Sequence, residues 1–181
     1  GWDTTIGAVY EGAAGHPYSV LYNGDANGDG QFSNDLVYVP TGLADPMGMR
    51  FVGGPTGTQW FAYNDYITHN NFLRKYRGQI APRNGGRDPW INRLDLHFSQ
   101  RIPVKWVWAE FTADILNFTN LIDPHWGQIK RYSTFGTPQP VTLNSSSQLY
   151  TYTGVGSKAT VQSEQDLDSR WKVQLGIRVS F

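Results

Sequence analysis

The sequence predicts an all-β fold: an antiparallel β-barrel segment of about six long strands, with one long loop excursion that contains a short helix. Glycine and proline, 20 and 10 of the 181 residues, interrupt the chain too often for long helices. Several segments alternate apolar and polar residues with the period of a strand. Aromatic residues make up 14% of the chain and charged residues only 17%, which favours an interface with a membrane or a partner.

The clearest strand is the C-terminal segment 171–181, in which apolar residues alternate with polar residues and glycine. At about 3.3 Å per residue it spans roughly 36 Å, enough for a tilted strand to cross a hydrocarbon layer. Strands of soluble sandwiches usually have only about 5 to 6 residues, so the length favours a membrane strand. The apolar side chains of the segment are Trp171, Val173, Leu175, Ile177, Val179 and Phe181.

Two further strands are predicted over 90–101 and 104–118, joined by a short turn at Ile102 and Pro103. Each has one apolar and one polar face. In a soluble sandwich the polar face would meet bulk water, whereas in a wide barrel it would line a hydrated lumen, and alternation alone does not separate the two. In the barrel interpretation the charged residues that face the lumen are Arg93, Asp95, His97, Glu110 and Asp114.

The N-terminal segments 2–11 and 17–22 alternate in the same way, and residues 12–15, Gly-Ala-Ala-Gly, separate them. These four residues are either a turn between two strands or a bulge within one long strand, and we prefer the bulge. Strands near 126–135 and 139–152 complete the set of about six, and the turn interpretation would add another.

Residues 23–89 are rich in Asp, Asn, Gly and Pro and contain one predicted helix, from Tyr63 to Tyr76. Soluble domains rarely carry so long a loop. Outer-membrane barrels have short periplasmic turns and long extracellular loops. We therefore expect the 23–89 loop to be extracellular and Phe181 to lie on the periplasmic side.

The segment 25–35 predicts a calcium loop, because oxygen-bearing side chains recur at alternate positions before Gly30. Gly30 permits the sharp turn that brings a backbone carbonyl to the ion. Leu36 stands where such loops usually carry a bidentate glutamate, and Asp35 is the substitute. The alternative is a solvated, metal-free turn, and magnesium fits less well because it requires a near-ideal octahedron. The predicted Ca²⁺ ligands are Asp25, Asn27, Asp29, Gln31 and Asp35.

The remaining composition argues against several other functions. Fifteen basic and fifteen acidic residues leave no net positive field for nucleic acid. The chain has no cysteine, and its four histidines are scattered without metal-ligand spacing. No serine has a recognisable histidine and aspartate arrangement around it. We therefore expect a protein that is not an enzyme and does not bind nucleic acid.

Six segments of the chain are informative when taken together and in their order: Gly24 to Pro40, Phe72 to Gly78, Arg83 to Trp90, Arg93 to Leu96, Asp114 to Phe118 and Arg170 to Phe181. Together they resemble the C-terminal barrel portion of TonB-dependent outer-membrane receptors, particularly the Oar-like branch. The resemblance spans nearly the whole chain. In that family a terminal aromatic residue on an alternating strand is the signal for the barrel-assembly machinery, which would give Phe181 this role.

The resemblance implies a plugged barrel that imports a substrate across the bacterial outer membrane with energy delivered by TonB. We expect the partners of this chain to be the remaining barrel strands and plug of the same receptor, outer-membrane lipid, and TonB through N-terminal parts only. The alternative is a processed fragment whose copies pair through their edge strands into a ring, tube or filament, as a released extracellular assembly. A third possibility is a secreted β-sandwich that binds carbohydrate.

Overall fold

The structure is a computed structural model that describes residues 2–45, 47–162 and 165–181. The chain divides into a sheet unit, residues 1–14, 89–130 and 161–181, and a loop unit, residues 15–88 and 131–160. The helices are α1 (Thr58–His69), a 3₁₀ helix (Leu73–Tyr76) and α2 (Phe118–Ile122). The strands are β1 (Asp3–Ala13), β2 (Pro17–Tyr18), β3 (Tyr22–Asn23), β4 (Tyr38–Val39), β5 (Gln79–Ile80), β6 (Gly86–Arg87), β7 (Ile91–Val104), β8 (Val107–Leu116), β9 (Val141–Asn144), β10 (Leu149–Tyr152) and β11 (Lys172–Ser180).

The fold is mostly β, and its sheets are antiparallel apart from one parallel pairing between β3 and β9. The sheet unit is a single four-stranded antiparallel sheet in the order β1-β7-β8-β11. Its four strands are the only long ones in the described part of the chain, so the prediction of about six long strands was too high.

The register of this sheet separates apolar from polar side chains. Phe98 pairs with Ile6 on one side and with Ala113 on the other, and Ile177 pairs with Phe111, so these side chains share one face. This apolar face is largely exposed, with Ile6 78% and Ile177 79% accessible. The opposite face is mostly polar, although the register also places Val9 and Trp108 on it. Its polar residues include Asp3, Thr5, Glu11, Arg93, Asp95, His97, Ser99, Arg101, Glu110, Thr112, Asp114, Gln174 and Arg178.

The turn between β7 and β8 lies three residues later than predicted. Val104 pairs with Val107, which makes Lys105 and Trp106 the turn, and Lys105 has a φ of 46°. Pro103 lies within β7, opposite Trp108. Since β1 begins only opposite Arg101, no β1 residue pairs with Pro103, and the missing N–H of Pro103 leaves no neighbouring carbonyl without a donor on that side.

The interpretation of residues 12–15 as a bulge within one long strand was wrong. β1 ends at Ala13, opposite Ile91, and the next pairing, between Pro17 and Arg87, belongs to the separate β2–β6 pair of the loop unit. The glycine-rich segment therefore ends the strand. Segment 15–88 therefore follows the last residues of β1 and precedes the first residues of β7, which lie at the end of the sheet away from the Lys105–Trp106 turn.

The two strands predicted after residue 120 also differ from the structure. Segment 126–135 contains only an isolated bridge, from Arg131 to Thr160. Segment 139–152 is a hairpin of the short strands β9 and β10. Asn144 turns the chain between them, because its side-chain oxygen accepts hydrogen bonds from the N–H groups of Ser146 and Ser147.

The loop unit folds around an aromatic core, to which both of its segments contribute. Tyr63 and Ile67 of α1 and Val141 of β9 are fully buried in it. The helix predicted from Tyr63 to Tyr76 is real but shifted, beginning at Thr58 and ending at His69. Asn70 explains the break before the 3₁₀ helix, since its side-chain oxygen accepts the N–H groups of Phe72 and Leu73. Among the described residues, no helix is both long and apolar enough to span a membrane.

Candidate functional site

The predicted calcium loop is closed by hydrogen bonds from its backbone to its carboxylates. Asp25 Oδ1 accepts the N–H groups of Gly28 at 2.7 Å and Asp29 at 3.2 Å, and Asp25 Oδ2 accepts that of Gly30 at 2.9 Å. Gly28 and Gly30 have φ values of 76° and 84°, a conformation that glycine adopts without strain. Glycine at these two positions thus lets the chain wrap around the Asp25 carboxylate.

The other predicted ligands belong to the same network. Asn27 donates its side-chain amide to Asp29 Oδ2 at 3.1 Å, and Gln31 donates its backbone N–H to Asp29 Oδ1 at 2.8 Å. The Gln31 hydrogen bond, followed by that of Asn27, holds the pKa of Asp29 below its usual value. Asp35 Oδ2 accepts the N–H groups of Ala26 and Asn27 at 2.6 and 3.1 Å.

The structure therefore brings all five predicted ligands into one exposed loop, but it does not gather their carboxylates at a single point. No group of three or more His, Cys, Asp or Glu side chains with metal-site geometry occurs in the described residues. Each carboxylate oxygen has two acceptor positions, and Asp25 Oδ2 accepts only one of the hydrogen bonds above. A network of this kind organises a turn without a metal.

The five residues predicted to face a lumen do share one face of the sheet. His97 Nδ1 lies 2.6 Å from Asp114 Oδ1, and both side chains are partly exposed. Asp95 is used locally, because its Oδ1 accepts the backbone N–H of Asn117 at 2.7 Å. The Nε atom of Arg93 is buried without a hydrogen-bond partner. The polar face thus combines a paired His–Asp couple with an incompletely satisfied arginine.

A buried asparagine at the end of β8 was missed by the sequence analysis. Asn117 is fully buried, has a φ of 53°, and donates its side-chain amide to the carbonyl oxygens of Gly127 and Ser169 at 3.0 Å each. Asn120, one turn later, donates to Pro124 and Trp126. An asparagine after a strand is an ordinary turn signal, so only the burial reveals its role.

A cavity of about 470 Å³ adjoins the predicted calcium loop, and the sequence did not indicate it. Asn27 and Asp35 line it together with side chains from distant parts of the loop unit, including Tyr150 and Arg83. Since these residues are far apart in sequence, no local pattern could have indicated that they share a wall.

Comparison of the chain with protein-family models, with curated proteins and with solved structures finds no match. The likeness to TonB-dependent receptors therefore depends on the sequence motifs alone.

Proposed function

We propose that this chain is the C-terminal barrel segment of a TonB-dependent outer-membrane receptor, which imports a substrate when the barrel is complete. The observation that carries the proposal is the four-stranded sheet with an exposed apolar face and a polar face opposite to it. In water an apolar surface of this extent has to be covered. Lipid on the apolar face and a hydrated lumen on the polar face satisfy both surfaces.

The strand lengths agree with this proposal. β1, β7, β8 and β11 contain 11, 14, 10 and 9 residues. A tilted transmembrane strand needs about 9 to 11 residues to cross the hydrocarbon layer. The four strands are therefore matched to a bilayer, whereas strands of soluble domains are usually about half as long.

Exposed aromatic residues lie near both ends of the sheet, as in the aromatic girdles of membrane barrels. Trp2, Trp106 and Phe181 lie at the β7–β8 turn, and Tyr10 and Trp171 lie at the other end. At about 3.3 Å per residue, the run from Trp2 to Tyr10 covers about 26 Å along the strand. That distance is close to the height of the apolar band of a barrel, about 25 Å.

The two outer strands of the sheet explain why the proposal requires further strands. Within the described residues β1 pairs only with β7, and β11 pairs only with β8. The outer backbone groups of β1 and β11 therefore need partners, which the rest of the barrel supplies in this proposal. The segment 15–88 then connects at the extracellular end, and Arg93, His97 and Asp114 line the route of the substrate.

Labelling at single cysteines tests the orientation of the sheet, because the natural chain has no cysteine. Ile177 and Arg178 are neighbours in β11 on opposite faces, so Ile177→Cys and Arg178→Cys are matched variants. Each is labelled with bimane after reconstitution of the protein in vesicles. A nitroxide on the lipid chain should quench the label at 177, and aqueous iodide the label at 178. Equal access of iodide to both positions would contradict the proposal.

The second candidate function is a processed fragment that self-assembles through its strand edges into a ring, tube or filament. The unpaired edges of β1 and β11 favour it as much as they favour a larger barrel. Negative-stain imaging of native material separates the two. Tubes or filaments would support self-assembly, and discrete barrels would support the receptor.

We also propose that the 25–35 loop binds Ca²⁺. Its support is the fixed arrangement of Asp25, Asp29 and Asp35, held by backbone amides and by glycines in the required conformation. Calcium accepts six to eight oxygen ligands in irregular geometry, so the carboxylates, the Asn27 oxygen and the Gln31 carbonyl suit it chemically. The ion would fasten the start of the loop unit.

A further inference from the structure

A second cavity of the loop unit, about 430 Å³ in volume, has an apolar wall and a single unpaired charge. Phe51 and Trp60, which are 4% and 5% exposed, form its aromatic side, with ring centroids 6.0 Å apart. Met49, Leu43 and Leu149 extend the apolar surface. Cavities of about 300 to 1,000 Å³ with such linings are typical binding sites for small organic molecules.

Arg50 supplies the unpaired charge. Its side chain is exposed and forms no hydrogen bond or ion pair within the described residues. Its backbone is held by two hydrogen bonds to Tyr150: the Arg50 carbonyl accepts the N–H of Tyr150 at 2.8 Å, and Val52, two residues later, donates its N–H to the Tyr150 carbonyl at 2.9 Å. Arg50 therefore lies on a hydrogen-bonded segment of the cavity lining, next to Phe51.

The other charged residue that lines this cavity, Asp45, is already fully engaged. Its carboxylate accepts the N–H and hydroxyl groups of Thr41, the N–H of Met47 and the hydroxyl of Tyr38. With four donor groups on two oxygens it has no capacity left for a ligand. Among the described residues that line the cavity, Arg50 thus remains the one charged group that is free to recognise a ligand.

A tight turn that requires glycine forms a further part of the cavity lining. Gly53 and Gly54 have φ values of 86° and 74°, and a Cβ at Gly57 would lie 2.8 Å from the Gly53 carbonyl oxygen. The N–H of Gly54 donates to Phe51, and that of Gly57 donates to Gly54. Only glycine fits this tight double turn, which keeps the wall in place without a ligand.

We infer that this cavity binds a small organic anion with a flat apolar body, whose ring system packs against Phe51 and Trp60 while its anionic group pairs with Arg50. A carboxylate or sulfonate matches the planar guanidinium, which donates two parallel hydrogen bonds to such groups. The aromatic wall selects the body of the ligand, and Arg50 selects its charge. The site lies entirely within the loop unit, so it does not depend on the barrel proposal.

Equilibrium dialysis of the full chain with naphthalene-2-carboxylate and its uncharged analogue naphthalene-2-carboxamide tests this inference. The carboxylate should bind more tightly than the carboxamide. Arg50→Gln should weaken carboxylate binding by about tenfold, the effect of losing a hydrogen bond to a charged group, and leave the carboxamide unchanged. The amount of probe that partitions into detergent or lipid is the same for every variant, so it cancels when the variants are compared.

Two matched variants complete the experiment. Arg74→Gln removes another exposed arginine of the loop unit that does not line the cavity, and it should change neither affinity. Leu43→Trp narrows the cavity at an exposed position and should weaken the binding of both probes. Equal binding of carboxylate and carboxamide would overturn the inference, and so would an equal effect of Arg74→Gln and Arg50→Gln. Neither result bears on the lipid exposure of Ile177, which tests the barrel.

Discussion

The side-chain amide of Asn117 donates a 3.0 Å hydrogen bond to the carbonyl oxygen of Ser169, a residue 52 positions later in the chain. The same amide reaches Gly127, and the backbone N–H of Asn117 donates to Asp95. One buried residue therefore joins the end of β8 to the segment that precedes β11. Trp171 strengthens this junction by donating its N–H to Asn120 at 3.3 Å.

Replacement of Asn117 by alanine should destabilise the sheet unit by about 2 to 4 kcal/mol, because it leaves the buried Ser169 carbonyl and the partly buried Gly127 carbonyl without this donor and places alanine in a left-handed conformation. Urea unfolding in detergent measures the loss. Asn71→Ala, at an exposed position, should change stability by less than about 0.5 kcal/mol. Equal stability of the two variants would show that the Asn117 hydrogen bonds contribute nothing.

Calcium should raise the melting temperature of the natural chain, and a chelator should remove the increase. Asp29→Asn keeps an oxygen that can accept the Gln31 N–H but removes a ligand charge, so it should weaken calcium binding by about tenfold or more. Asp65→Asn, on the exposed surface of α1, should leave binding unchanged. A chelator without effect on the natural chain would identify the segment as a metal-free turn.

The segment around Asp45 should loosen in acid. The N–H of Thr41, together with the Thr41 hydroxyl and further donors, lowers the pKa of Asp45 to about 2 from 3.8. A carboxyl whose pKa is depressed in the folded state contributes stability above its unfolded pKa, and this is lost as the pH falls from about 4 to about 2. Amide hydrogen exchange at Thr41 and Met47 should rise over that range. Asp45→Asn should abolish the pH dependence of exchange at both sites.

The buried tyrosines of the aromatic core should make the loop unit lose stability at high pH. Burial is the main cause that raises the pKa of Tyr18 to about 12 and those of Tyr22, Tyr63 and Tyr66 further. Tyrosines held neutral in the folded state stabilise it below their unfolded pKa of about 10, and this contribution disappears as the pH rises through about 12. Absorbance at 295 nm should therefore show a group of late, cooperative ionisations. Tyr18→Phe should reduce their number by one, and smooth titration near pH 10 would contradict the burial.

The long strands could be predicted because their signal is local. Alternation at 171–181 indicated β11, observed at Lys172–Ser180, since every second side chain of a strand faces the same surroundings. The polar faces of β7 and β8 followed from the same rule. The position of the β7–β8 turn did not, because a proline such as Pro103 is compatible with a strand when no partner needs its N–H.

The loop unit could not be predicted because its core is not local. Tyr22, Tyr63 and Tyr150 meet through packing of segments whose sequences look like turns. Segment 139–152 forms two short strands, β9 and β10, and β9 also pairs with β3. These pairings depend on the packing of the core rather than on alternation. The spacing of the predicted calcium ligands indicated one loop, but how their carboxylates share the backbone amides depends on three-dimensional closure, which spacing does not specify.

The parallel pairing of β3 with β9 has a consequence for the order in which the protein is made. Tyr22 and Val141 are register partners, and Asn23 donates its side-chain amide to Thr142 across 119 residues. A ribosome that has just completed β3 must synthesise α1, β7 and β8 before the partner strand exists. The aromatic core must therefore remain incomplete until residue 141 has been synthesised, and its closure brings together residues 119 positions apart. Until then, Tyr22 and Tyr63 lack this part of the surroundings that bury them in the folded protein.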